Sequence, residues 1–281
     1  MEIMEGCLPC LLRQAEDAAK RVSDDPDVHK AVTEGTKKIL ENYKVFKNAP
    51  SLAEAIHCLV KNETNNGDPY KKIKTDDINA AAELIPTMNR FIKGAKDTLY
   101  ASLKVSAAGN NLDSAVYKSV DIKGIIDAEL SLPFTICDID TFSEKLRNSK
   151  TMLIIGDNAG EAVFDKVFIS SLPSDISVTY AVRSAPIIND VTIAEAMAIG
   201  LDKTAEIMPS GSTAPGTVLS QISKDFKEAL SSADIVISKG QGNFESLSEV
   251  KGIFFLLKAK CPVIAERFGV KTGSYIFRYN K

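Results

Sequence analysis

The sequence predicts an α/β protein: a Rossmann-like α/β/α sandwich with a mostly parallel sheet, plus an all-helical N-terminal domain. Three features carry that expectation. Apolar runs of strand length recur beyond residue 150, helical stretches alternate with them, and the first hundred or so residues show helical spacing instead. The expected division is a helical domain over 1–112 and an α/β domain over 113–281.

The helical part is read as follows. Leu11, Leu12, Ala15, Ala18, Ala19 and Val22 recur at helical spacing after Pro9. Ser23-Asp24-Asp25-Pro26 breaks that helix and starts another at Pro26, because a first-turn residue needs no N–H. Val32, Thr36, Ile39 and Leu40 continue an apolar stripe. Ser51 with Glu54 three residues on has the form of a capping box. Asn65 to Pro69 is a turn. Asp76 to Val105 is helical again and ends at Gly109-Asn110-Asn111.

Beyond residue 150 the expected strands are Thr151–Ile155, Ser177–Val182, Asp234–Ser238 and Pro262–Ala265, with a further one over Ala205–Met208. Helical stretches lie between them, at Glu161–Ser171, Ile193–Ile199 and Val218–Leu230. Uniformly apolar strands alternating with helices mean a parallel sheet covered on both faces.

Composition sets outer limits. The chain has 281 residues, of which 44% are hydrophobic and 25% charged, so it can build one large or two smaller cores. A net charge of −3 gives no support to nucleic-acid binding, which needs a basic face. Anionic small molecules stay open, because one metal ion and a few lysines reverse the charge locally. No run of about 18 apolar residues occurs, so no membrane span is expected. The acidic start, Met1 to Glu5, lacks a signal-peptide pattern. Five cysteines without framework spacing point to a reducing cytoplasm. Nothing in the sequence sets an oligomeric state.

Ligands of open α/β sheets collect at the carboxyl ends of the strands. Each expected strand is followed there by a polar, glycine-containing loop: Gly156-Asp157-Asn158-Ala159-Gly160-Glu161, Arg183 to Asp190, Pro209 to Ser212, and Lys239 to Glu245. Asp157 and Asn158 offer adjacent oxygen ligands to a hard cation, and Asp190 a third. The plain structural reading is that Asp157-Asn158 and Asp190 cap the helices that follow them. Their convergence at neighbouring strand ends, with Lys239 close by, favours the metal. Arg183 is either a phosphate ligand or one half of an ion pair. The Lys239-Gly240-Gln241-Gly242-Asn243 loop is either an anion nest or an ordinary glycine turn. It is not a Walker loop, and no GxGxxG follows the first strand.

Asp138-Ile139-Asp140-Thr141 imitates an aspartate-nucleophile phosphatase motif, but Phe142 occupies the threonine position, so Asp140-Thr141 reads as a helix cap. Cys7-Leu8-Pro9-Cys10 supplies two candidate ligands for a structural metal, where a closed site needs four. His57 and Cys58 lack finger spacing. His29 and His57 are the only histidines, both in the helical part, which disfavours histidine-based hydrolysis.

Taken together, the Gly156–Glu161 loop, the Arg183–Thr192 segment, the Lys239–Glu245 loop and the CxxC start resemble the DUF89 proteins, the damage-control phosphatases, in their archaeal-type CxxC-containing branch. The resemblance runs in the same order along nearly the whole chain. It implies a divalent cation (Mg²⁺, Mn²⁺, Co²⁺ or Ni²⁺) on Asp157, Asn158 and Asp190, and hydrolysis of small phosphorylated metabolites. It also implies substrate contacts from Glu161, from Lys239, Gly240, Gln241, Gly242 and Asn243, and from Lys260. A late Arg-Thr-x-Lys motif of the family reads Leu257-Lys258-Ala259-Lys260 here, keeping only the lysine. Gly109 to Asp113 resembles a motif at the domain junction, where Asn111 and Asp113 would close one side of the pocket.

The expected function is therefore a metal-dependent phosphatase. Asp157 or Asp190 is a ligand only, or else a base or nucleophile as well. The rivals are a non-catalytic sensor of the same metabolites, a dinucleotide-dependent oxidoreductase, and a methyltransferase on the same type of sheet.

Overall fold

The computed structural model describes residues 1–111 and 122–281. Helices α1 (Leu8–Lys20), α2 (Pro26–Glu41) and α3 (Ala49–Thr64) pack on one another. Their core joins Leu11, Ala15, Ala18 and Val32 to Leu52, Ile56 and Val60. Asp25 caps α2 by accepting from the Asp27 N–H at 2.9 Å, with Pro26 in the first turn. The cap of α3 is Asn48, not Ser51: Asn48 Oδ1 accepts from the Ser51 N–H at 3.0 Å and from its hydroxyl at 2.8 Å. Glu54 is thereby released from a capping role. It accepts instead from Thr213 and, at 2.6 Å, from Gln221 Nε2.

The helical pattern over Asp76–Val105 divides into three: α4 (Lys71–Glu83), α5 (Ile85–Gly94) and α6 (Thr98–Ala108). Pro86 sits in the first turn of α5 and forces a boundary near Leu84. Asp97 starts α6 by accepting from the Tyr100 N–H at 2.9 Å. From Ala101 onward every residue of α6 is buried. Leu103 and Ala107 enter the core of the sheet, while Ala101, Val105 and Ala108 enter a second core with α4 and α5.

After α7 (Ile122–Ser131) the chain alternates: β1 (Phe134–Cys137), α8 (Ile139–Arg147), β2 (Thr151–Ile155), α9 (Glu161–Ile169), β3 (Ser177–Val182), α10 (Ile193–Ala198), β4 (Glu206–Pro209), α11 (Lys224–Ser232), β5 (Ile235–Lys239), α12 (Gly240–Leu247), β6 (Ile253–Lys258), α13 (Pro262–Phe268) and β7 (Tyr275–Tyr279). The strands form one sheet in the order β1-β7-β6-β5-β2-β3-β4. All neighbours are parallel except β6 and β7. From β2 the chain steps outward through β3 to β4, then returns to the other side of β2 with β5. That reversal makes β2/β5 a topological switch point, where the carboxyl ends of the strands open a crevice. The expected Rossmann-like, mostly parallel sandwich is what the chain forms.

Other local expectations fail. The helix expected over Val218–Leu230 begins only at Lys224, as α11. Pro262–Ala265 is not a strand but the first turn of α13, with Pro262 in the position that tolerates a missing N–H. The strand precedes it as β6, whose six residues are all buried. Asp140-Thr141 does not cap α8, which already begins at Ile139. Asp138 accepts from the Tyr279 N–H at 2.7 Å and so ties that helix start to β7. No described helix is long and apolar enough to cross a membrane.

His57 gives this fold a pH dependence. It is 2% exposed, meets Tyr70 edge-on, and its buried Nε2 has no hydrogen-bond partner among the described residues. Burial, with Lys61 adding to it, pushes its pKa down to about 4. An unfolded histidine titrates near 6.5, so between those values the unfolded chain binds the extra proton and stability falls as pH falls. Compared with His57→Leu, the native chain should lose about 2–3 kcal/mol of relative stability between pH 7 and pH 4. Paired urea unfolding curves at the two pH values check this. An unchanged difference would refute it.

Candidate active site

The site is built where two loops are sewn together. Beyond β2 the chain passes through Gly156-Asp157-Asn158 into α9; beyond β3 it passes through Arg183 to Thr192 into α10. Between them the Val191 N–H donates to the Asp157 carbonyl and the Ala159 N–H to the Asn189 carbonyl, both at 2.8 Å. Asn158 and Asp190 form an antiparallel bridge. This stitching sets Asp157, Asn158 and Asp190 side by side. It also moves the cap of α10 away from Asp190. Thr192 takes that place in a capping box with Glu195. Glu195 in turn pairs with the buried Lys74 of α4 at 2.7 Å, which joins the helical layer to the loop.

The third wall comes from β5. Lys239 ends that strand and Gly240 begins α12 at φ 76°. A Cβ on Gly240 would lie 1.9 Å from Asp157 Oδ2, so the carboxylate rests directly on a glycine backbone. Asp157 Oδ2 accepts from Asn110 Nδ2 at 3.2 Å and from Asn158 Nδ2 at 3.3 Å. Asn110 Nδ2 also donates to Glu161 Oε2 at 2.7 Å. Asn110 of the Gly109–Asp113 motif therefore reaches the site. The side chain of Asn111 and the whole of Asp113 lie outside the described residues.

Several expected ligands have their charges already engaged. Lys239 is 1% exposed, and its Nζ lies 2.5 Å from both Glu161 Oε1 and Asp165 Oδ1 and 3.2 Å from the Ser106 carbonyl. Asp165 also accepts from the Ser106 hydroxyl at 2.6 Å and from the Tyr180 hydroxyl at 2.8 Å. Arg183, also 1% exposed, donates from Nε to Asp190 Oδ2 at 2.7 Å and from Nη2 to Asn243 Oδ1 at 3.0 Å. Asn243 is used up structurally. It accepts from Thr217 at 2.8 Å and donates to the carbonyls of Gly156 at 3.0 Å and Lys239 at 2.7 Å. Gly242 presses on the Pro215 carbonyl, which a Cβ would meet at 2.1 Å. Lys260 differs. It is exposed, its N–H donates to Gln241 Oε1 at 2.6 Å, and no described residue pairs with its ammonium group.

The charges do not balance. Four carboxylates, of Asp157, Glu161, Asp165 and Asp190, share the region with two buried cations, Lys239 and Arg183. The cost shows in three of them. Burial and the neighbouring Asp190 push Asp157 up to about 6, with Arg183 and the lysines opposing. Burial likewise raises Asp190 to about 6 and Glu161 to about 7. For Lys239 burial acts downward, but Asp165 and Glu161 outweigh it and hold the pKa above its ordinary value.

Comparisons with known proteins place the chain among relatives of the same length. Residues 3–276 match the model of the damage-control phosphatase ARMT1-like domain. The chain belongs to that family. A damage-control phosphatase of Archaeoglobus fulgidus is 32% identical, with 98% of each chain covered. One of Pyrococcus horikoshii is 30% identical over 100% of this chain and 99% of its own. A crystal structure of a DUF89 family protein from Pyrococcus horikoshii superposes with a TM-score of 0.91 at 29% identity, covering both chains fully.

ARMT1-like proteins are implied to hold a divalent cation, and the donor set here suits one. Oδ1 of Asp157, Oδ1 of Asp190 and Oδ1 of Asn158 accept no hydrogen bond from a described residue, while Oδ2 of each aspartate is held by neighbours. Oxygen donors beside an excess of buried negative charge favour a hard cation. The set is two carboxylates and an amide; among the described residues no three His, Cys, Asp or Glu side chains form a metal cage. The CxxC likewise has no cage among the described residues: Cys7 and Cys10 are free thiols, and His57 is buried against Tyr70.

Sequence reading missed Asp165, Ser106, Tyr180 and Thr217. Asp165 had a signal: it lies four residues after Glu161, so both face the same way from α9. The ion cluster predicts that Lys239→Met destabilises the fold by about 3–5 kcal/mol, because two buried carboxylates lose their counter-ion. Urea denaturation at pH 8, above the value of about 7 to which burial raises Glu161, measures it. A loss below 1 kcal/mol would show that the cluster is not sealed from water.

Proposed function

We propose that this protein is a metal-dependent phosphatase that hydrolyses small phosphorylated metabolites, with its reaction centre on Asp157, Asn158 and Asp190. The observation that carries the reading is the excess of buried carboxylate at the β2/β5 switch point, in a chain of the ARMT1-like family. The damage-control names of the relatives support the same substrate class. A divalent cation held by the three Oδ1 atoms would polarise a phosphoryl oxygen and acidify a bound water.

The chain's own residues divide the remaining work. Asn110 holds Asp157 Oδ2, so that Oδ1 faces away from it. Arg183 holds Asp190 in the same way and is itself fixed by Asn243 and Thr217. Both are positioning residues. Lys260, anchored through Gln241, offers an exposed ammonium group to phosphoryl charge. Asp157 Oδ1 is open to a cation, and in its absence to a proton. The five free thiols suit a reducing cytoplasm.

The test is release of inorganic phosphate from a phosphate-ester panel with Mg²⁺, Mn²⁺, Co²⁺ or Ni²⁺. Asp157→Ala should lower the best rate at least about a hundredfold, the scale of losing a central electrostatic stabiliser, with an unchanged circular dichroism spectrum. Undiminished turnover in that variant would remove Asp157 from the centre. Binding of the esters without turnover under every metal would favour the sensor.

A further inference from the structure

A cavity of about 330 Å³ lies between the first turns of α1 and α3 and the loops of the candidate centre. It falls within the roughly 300–1,000 Å³ typical of small-molecule sites. Much of its wall is apolar, with Leu11 and Ala53 from the helices and Val263 from α13. The opposite side belongs to the catalytic loops. Gln241 and Gly242 directly follow Gly240, on which the Asp157 carboxylate rests. Gln241 also holds the backbone of Lys260.

Ile188 lines the same cavity two residues before Asp190. It stands at φ 43°, a left-handed conformation that is strained for a β-branched residue. Such strain persists only where the surroundings enforce it, and it concentrates at ligand sites. Lys61 of α3 donates to the Pro186 carbonyl and helps hold this loop. One acidic group faces the space. Glu245 sits one turn after Gln241 on α12, and its carboxylate accepts no hydrogen bond from a described residue. Burial pushes it up to about 7, with the Met1 amino group opposing.

We propose that this cavity receives the alcohol portion of the substrate. The substrate is then a phosphate ester with an apolar, ring-sized body and a hydrogen-bond donor that meets Glu245. The inference rests on the phosphatase reading. It goes beyond it by separating this protein from an enzyme of simple sugar phosphates. A fully hydroxylated sugar would set its hydroxyls against Leu11, Ala53 and Val263, where nothing can pair with them. An aromatic or aliphatic body would fill the same space, and the polarizable thiols of Cys7, Cys10 and Cys261 line part of it.

The experiment compares 4-aminobenzyl phosphate, benzyl phosphate and glycerol 3-phosphate by kcat/KM. The expected order is as written, with at least about tenfold between first and last. Val263→Phe, which fills the cavity from α13, should shrink that ratio at least about tenfold. Cys10→Phe, entering from the exposed rim, replaces it if the first variant does not fold. Glu245→Met should erase the preference for the 4-amino ester over benzyl phosphate. A native preference for glycerol 3-phosphate, or a ratio untouched by the filling variants, overturns the proposal. If no ester is hydrolysed, calorimetric titration with benzylphosphonate decides. Binding weakened tenfold or more by Val263→Phe keeps the cavity while the phosphatase reading falls. Binding that is absent, or equal in both proteins, rejects the cavity.

Discussion

One buried ammonium group holds this molecule's functional edge together. Lys239 stands at the end of the central strand β5 and is surrounded by Glu161 and Asp165 of α9 and the Ser106 carbonyl of α6. A charge so buried is tolerable only when paired and hydrogen-bonded. The pairing fixes the relation between the sheet, the helix behind β2 and the last helix of the N-terminal layer. It also fixes Glu161, which shares Asn110 with Asp157. A single cation thereby governs, at one remove, where the Asp157 carboxylate points.

The opposite side of the centre obeys the same logic with an arginine. Arg183 reaches Asp190, Thr217 and Asn243 from three nitrogens, a fork that a lysine could not reproduce. Asn243 then binds the carbonyls of Gly156 and Lys239, one after β2 and one ending β5. The two strand ends that flank the switch point are tied through one amide side chain. Polar residues that the sequence offers as substrate ligands are, in large part, the frame that keeps the few remaining oxygens in place.

Much of this was legible in the sequence, and the misses have physical causes. The strand β2 announces itself because a parallel strand buried on both faces is nearly all apolar, and β3 and β5 carry enough of that signal despite Thr179 and Ser238. Pro262–Ala265 misled for the same reason: a short apolar run does not state its own period, and only Pro262 marks it as a helix start. The stitched loops made Asp157, Asn158 and Asp190 neighbours as their strand-end positions suggested. For Arg183 an ion pair was one of two open readings, and Asp190 takes it; the use of Lys239 as an internal counter-ion was not legible, because a charge that binds phosphate and a charge that neutralises a buried carboxylate have identical letters. Their partners, Asp165 above all, lie on another element and become visible only when α9 is laid against β5.

The same distinction bears on what the centre is for. A frame built only for stability would match its charges, since replacing a buried ion pair by apolar residues often costs nothing. Here the two buried cations are consumed by Asp165, Glu161 and Asp190, and Asp157 is left facing a glycine backbone and two amides. Burial raises Asp157, Asp190 and Glu161 alike, but of these only Asp157 has no cationic side chain bonded to it among the described residues. It lies beside the one exposed lysine anchored to the adjoining loop, Lys260. A region that pairs its outer carboxylates and leaves the central one without a bonded cation is the arrangement the proposed metal-dependent chemistry would require.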